Sequence, residues 1–293
     1  MKRLYAVEIS RFLSRRSVRF FGMFLLLIVI TAGSLTFVFS NRDFDAANAK
    51  ARAAASADYN RCLQASGANF ADQPKCEPPD LSQITADPRF DLTKLRQIFE
   101  GASVALIMLG FGLGASGVGA EWHHRTMTTL LTWEPRRVRV AVAKLAAGAT
   151  VVFGAVIAFE ALLGAALVPA AAFRGTTAGT TASWLAGVIG VGMRGAAIGA
   201  MGAVIGGALA IVTRNTAVAL GISFAWLAVI ENMIRGLRPR WGPWLIGSNA
   251  ESFLGPLAGD STRTVIGGGV VLAAYVLALA LVAVRWFGRQ DVA

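Results

Sequence analysis

Phe20–Phe39 reads FFGMFLLLIVITAGSLTFVF, twenty residues without a charge or a proline. At about 1.5 Å rise per residue, a helix of this length covers roughly 30 Å, the thickness of a bilayer's hydrocarbon layer. The run exceeds the apolar region of a cleavable signal peptide, roughly 7–15 residues, and Thr36-Phe37-Val38-Phe39 offers no Ala-x-Ala site, so it reads as a retained span. Five more stretches along the chain are comparably apolar: Ala102–Ala120, Leu145–Val168, Trp184–Val212, Ala217–Ile230 and Val265–Val284. The fifth is short and spans only if Asn215–Thr216 or Glu231–Met233 sit at the interfaces. None alternates with period two, which excludes a barrel. With 55% hydrophobic residues, 15% charged and mean hydropathy +0.57, the chain is too apolar for a soluble domain. The expected fold is an all-α polytopic membrane protein with six transmembrane helices over residues 20–293.

Residues 1–19 precede the first span. The stretch KRLYAVEISRFLSRRSVR predicts a basic amphipathic helix lying in the interface, with Leu4, Val7 and Phe12 toward lipid and Lys2, Arg3, Arg11, Arg15 and Arg16 toward water. A solvated basic lead-in that merely fixes topology is the other reading. Basic residues set the orientation. With the N-terminus inside, residues 1–19, 121–144, 213–216 and 285–293 hold 14 Lys/Arg against 4 Asp/Glu, so +10 of the formal +11 falls on the cytoplasmic face, with both termini there. A pI near 10.8 then marks a face toward anionic headgroups of the lipid bilayer, and nucleic acid is not an expected partner.

Residues 40–99 form the one long polar segment, assigned to the exterior. Ala46–Ala57 has high helix propensity and reads as an outward extension of the first span. Cys62 and Cys76 both fall in this loop, and an even count in an oxidising compartment predicts a disulfide between them. Closing such a loop stabilises it by about 3 kcal/mol. Residues 231–263, rich in Trp, Pro and Gly, predict one or two short helices or a re-entrant hairpin. Gly110/Gly114, Gly195/Gly199 and Gly202/Gly206 form GxxxG pairs that let helices approach closely, within one chain or between two copies.

No catalytic constellation or metal set is present: there is no phosphate loop, no HExxH and no GxSxG. His123 and His124 are adjacent and point about 100° apart on a helix, so they do not readily share one metal. Two ionisable groups fall within spans, Glu160 about 13 Å and Arg194 roughly 15 Å from the outer face at helical rise. Matching depth on consecutive antiparallel spans predicts an intramembrane ion pair between them.

The segment between the second and third spans reads GAEWHHRTMTTLLTWEPRRVRVAVAK, Gly119–Lys144. Glu121 closes a span, Arg125–Trp133 predicts a short amphipathic helix with Met127, Leu130 and Leu131 on one side, and Pro135 ends it. This pattern resembles the permease subunits of ABC-2-type exporters, in which an E-[WY]…GT…LL…P-x-x-R…K stretch after the second span contains the coupling helix. This chain has Arg125-Thr126 where the family commonly has Gly-Thr, and its 60-residue exterior loop is longer than in the simplest members. Glu8–Arg16 resembles the family's N-terminal elbow helix, and the six-span, N-inside topology agrees. The resemblance implies a permease domain in the bacterial cytoplasmic (inner) membrane, paired with a second permease copy, homodimer or heterodimer. Glu121, Arg125, Thr126, Met127, Leu130, Leu131 and Trp133 would couple it to a separate ABC ATPase (nucleotide-binding) subunit, with Met127–Trp133 inserted into the ATPase groove. ATP and Mg would be held by that partner, with no cofactor and no enzymatic site in this chain, and the cargo would be a lipophilic or amphipathic molecule. Two alternatives are an ATPase-independent membrane scaffold or sensor and an ion-coupled carrier. The carrier calls for inverted repeats and several intramembrane carboxylates, whereas the sequence has no internal repeat and one such acid.

Overall fold

The computed structural model describes residues 2–65, 89–123, 126–255 and 263–289. Among these, every regular element is helical, and the only β pairing is an isolated bridge between Asp91 and Thr176. Six helical stretches are long and apolar enough to cross a membrane: Arg16–Phe39, Leu92–His123, Arg137–Arg174, Ala182–Thr213, Thr216–Leu237 and Val265–Arg289. Each expected run lies inside one of them. The protein is an all-α polytopic membrane protein, preceded by a short helix, α1 (Lys2–Ser14). The chain forms two compact units, one of residues 1–28, 94–162 and 181–293, the other of residues 29–93 and 163–180.

In the larger unit, α4 (Leu95–His123) and α7 (Ala182–Thr213) form the central pair. Two thirds of the apolar window of α7 is buried (67%), against 17% for the last span, α11 (Val265–Arg289), so α7 is a core helix and α11 lies at the periphery of this unit. The crossing depends on missing side chains. A Cβ at Gly114 would fall on the Ala203 backbone, and one at Gly206 on the Phe111 backbone. The GxxxG pairs Gly110/Gly114 and Gly202/Gly206 therefore close this chain's own helix pair. α6 (Arg137–Pro169) packs alongside, Val156 and Val152 lying against Gly199.

The fifth span is longer than its apolar run. It comprises α8 (Thr216–Phe224), a π-helical stretch Ala225–Ile230 and α9 (Glu231–Leu237), with right-handed dihedrals at both joints. Its start is fixed by Asn215, whose Oδ1 accepts from the amides of Ala217 at 2.8 Å and Val218 at 3.2 Å. The proline-rich segment beyond it forms a 3₁₀ turn at Pro239–Trp244 and then α10 (Ile246–Leu254), as its composition predicts. α10 has no side-chain cap of its own. The buried Glu231 carboxylate serves instead, accepting from Ile246 N at 2.8 Å, Gly247 N at 2.7 Å and Trp226 Nε1 at 3.1 Å.

The smaller unit contains the end of α2 (Arg16–Phe39), α3 (Phe44–Ala65) and the end of α6 with its π turn at Ala170–Arg174. Buried Ser40 is its hub. It donates to Arg174 O at 2.7 Å and accepts from Phe90 N at 3.0 Å, while Thr176 N donates to Phe90 O at 2.9 Å. The polyalanine stretch does not extend the first span. Ser40–Asp43 break the helix, and Asp43 Oδ1 accepts from Ala46 N at 3.1 Å to start α3 anew. Cys62 lies near the end of α3. Cys76 is outside the described residues, and so is the expected pairing.

Candidate functional site

Glu8 and Phe12 stand four residues apart on α1, hence on one face, and both are buried. Phe12 does not face lipid as the sequence suggests. Its ring fills the space left by Gly117 on α4 and lies 3.5 Å from where a Gly148 side chain on α6 would begin. Glu8, the one acid among six basic residues in the first nineteen, is thereby carried into the protein, where it accepts from Lys144 Nζ at 2.9 Å.

Lys144 is itself buried, and its ammonium also lies 2.6 Å from Glu121 Oε2, an ion pair by distance without hydrogen-bond alignment. Arg15 completes the set. It donates to Glu121 Oε1 at 2.7 Å and to Ser116 O at 3.0 Å, so it is not the wet residue expected of an interfacial helix. These two acids and two bases make a tetrad that joins the N-terminal helix, the end of α4 and the start of α6, with the half-exposed Arg11 a further 3.6 Å from Glu8 Oε1. Glu121 needs such partners, because a carboxylate in the last turn of a helix opposes the dipole. Desolvation opposes all four charges, and only their mutual pairing offsets it.

Directly beyond Glu121 runs α5 (Thr126–Trp133), with Thr126 Oγ1 donating to Glu121 O at 3.4 Å. Its apolar face is already occupied. Met127 is 2% exposed and packs with Leu145, Ile211 and Phe287, and Leu130 and Leu131 lie against the same cluster. Met127 is therefore taken up by the chain's own core, whereas Leu130 and Leu131 are only half-buried and Leu130 also lines the groove beside the helix. The outward face carries Thr129, Thr132 and Trp133, the last 85% exposed. A groove of about 700 Å³ separates this face from the end of α1, lined by Arg11, Ser14, Arg15, Glu121, Thr129 and Trp133 among others. No family model, curated protein or solved structure matches the chain. Arg125 lies outside the described residues.

The expected Glu160–Arg194 ion pair is not formed. Glu160 is 2% exposed and neither carboxylate oxygen has a hydrogen-bond partner. Its oxygens face the backbone of α7, 2.7 Å from where the Cβ atoms of Gly192 and Gly195 would stand. Depth was matched but azimuth was not: Arg194 lies one residue, about 100°, from Gly195 and so leaves that face. It instead lies in the electrostatic range of Glu100 and Arg96, which pair with each other at 3.0 Å. Sequence reading placed Glu121 in the coupling region, put Arg15 in water, and took Glu8 and Lys144 only as ends of the elbow-like and coupling stretches, without bringing the four together. The usable signal was the single acid of a basic helix, four residues from an aromatic.

Proposed function

We propose that the chain is the permease subunit of an ABC-2-type exporter in a bacterial cytoplasmic membrane, working with a second permease copy and a separate ATPase. The observation that carries this reading is the seating of α5. This eight-residue helix between two spans is anchored by Met127 on one side, presents Thr129, Thr132 and Trp133 on the other, and is tied through Glu121 to the N-terminal helix. A short helix held in this way transmits a push from a soluble partner into α4 and α6 as a rigid lever. The coupling surface is accordingly the Thr/Trp face, with Met127, Leu130 and Leu131 as its foundation. Both termini would then be cytoplasmic, and the segment carrying Cys62 and Cys76 would be exterior and disulfide-bonded.

Affinity purification of the tagged full-length chain from its native host tests the proposal. A soluble phosphate-loop ATPase should co-purify, and Trp133→Asp should reduce its recovery at unchanged permease level. Purification as a complex without any ATPase overturns the reading. One observation keeps an ion-coupled carrier as the second reading: Glu160 is buried within a span and neither of its carboxylate oxygens has a hydrogen-bond partner. Loss of transport in Glu160→Gln at normal folding, together with no associated ATPase, would select the carrier.

A further inference from the structure

Four span ends meet around a second cavity of about 740 Å³ in the larger unit: the start of α2, the end of α4, the end of α7 and the start of α8. Arg15, Arg16, Trp122, His123, Arg214 and Thr216 are among its walls, and among the described residues no acidic side chain lines it. Arg15 is committed to Glu121 and Ser116. Arg16 and Arg214 add two further guanidinium groups to its wall.

Arg214 is built into this position. It sits in the left-handed region at φ 55, an unfavourable conformation for a non-glycine residue, at the turn between α7 and α8. Its guanidinium lies 4.9 Å from the Trp122 ring centre, and Trp122 is held edge-on against Phe287 at 6.0 Å. The spans ending here leave the hydrocarbon at this level, so the cavity sits at headgroup depth. Below its rim the exposed surface is apolar. Phe20, Phe24 and Leu27 follow Arg16 at helical spacing, and Phe224 follows Ala217 by seven residues; all four are exposed.

We propose that this cavity binds the phosphate-bearing headgroup of an anionic phospholipid, with the phosphate between Arg16 and Arg214 and the acyl chains along α2 and α8. A free phosphate would use the two arginines alone, whereas a lipid uses the charged cavity and the apolar surface beneath it. The inference does not depend on an ATPase partner.

Native mass spectrometry of the purified full-length chain, titrated with phosphatidylglycerol or phosphatidylcholine, tests it. One phosphatidylglycerol should be retained in preference to phosphatidylcholine. Arg16→Gln with Arg214→Asn should weaken that binding about tenfold or more, given roughly fivefold per basic residue at a membrane surface. Asn tolerates the left-handed conformation, so the second change removes charge without adding backbone strain. The charge-matched control Arg136→Gln with Arg139→Gln should leave binding within about twofold. Arg16→Lys, which keeps the charge, should also retain it and serves as the reading variant if the neutral pair fails to fold. An equal loss in the control, no preference for phosphatidylglycerol, or its displacement by millimolar inorganic phosphate would each overturn the proposal.

Discussion

Lys144 carries more than its own charge. Replacing it with Met leaves Glu8 and Glu121 buried without their shared cation, and breaking a buried ion pair destabilises by about 3–5 kcal/mol. Lys144→Met should therefore lower the melting temperature in detergent by many degrees. Arg3→Gln, at an exposed site on α1, should shift it by no more than a degree or two. Equal melting of wild type and Lys144→Met would mean that the tetrad does not hold α1 in place. Glu160 presents the opposite case, since neither oxygen has a partner to lose. Glu160→Gln should leave the melting temperature essentially unchanged, whereas Glu160→Lys, which puts a longer cation against the α7 backbone at Gly192 and Gly195, should abolish folding. A large loss of stability in Glu160→Gln would show that the carboxylate does have a partner. The two sites differ in kind: Glu8 and Glu121 are buried beside cations, whereas Glu160 is enclosed against the glycine backbone of α7 with no partner for either oxygen.

At the scale of elements, the α4–α7 crossing is limited by backbone contact. Gly114→Val should destabilise by several kcal/mol, because its Cβ meets Ala203 main chain that cannot withdraw. Gly112→Ala, two residues away with nothing within 4 Å of the added Cβ, should be neutral or gain about 0.5–1 kcal/mol from helix propensity. Melting of the purified variants separates them, and a gain in both, as helix propensity alone would give, would show that contact with the Ala203 main chain does not limit the crossing. For α5 the relevant contrast is between faces. Leu130→Asp strikes the side packed on the chain's own core and should cost folding, whereas Trp133→Asp changes only an exposed residue. How far sequence reached can be judged on these same elements. Apolar run length located all six spans, because span length is set by the bilayer rather than by neighbours. The short helix after Glu121 was legible from its period and from Pro135. Which side of it faces inward was not, because an apolar face reads the same whether its partner is another chain or Phe287. Phe12 and Arg15 were misplaced for the same reason: the glycines at 117 and 148 that receive the ring lie more than a hundred residues away.

Six spans constrain the whole molecule through parity. An even number of crossings puts both termini on one side, and the proposed orientation, with +10 of the formal charge on four segments, would make it the cytoplasmic one. In the larger unit, Arg15, Arg16 and Arg214 line one cavity at the ends of these spans. Single-cysteine labelling separates the two inferences. In a background with Cys62 and Cys76 replaced by Ser, Lys2→Cys, Arg289→Cys and Asn60→Cys each place one thiol on an exposed described residue. A membrane-impermeant maleimide should modify Asn60→Cys in intact cells, and Lys2→Cys and Arg289→Cys only after permeabilisation. Labelling of both terminal variants in intact cells would invert the orientation while keeping six spans. Labelling of one terminal variant without the other would break parity, and one of the six helices would then lie in the membrane without crossing it. The fifth is the one most exposed to that outcome: it runs 22 residues only by including α9, whose Glu231 is committed to capping α10. A thiol at Arg240, an exposed residue between the fifth and sixth spans, would then discriminate: with six crossings it lies opposite the termini and should react with the maleimide in intact cells, whereas a fifth helix that does not cross leaves it on the side of the N-terminus.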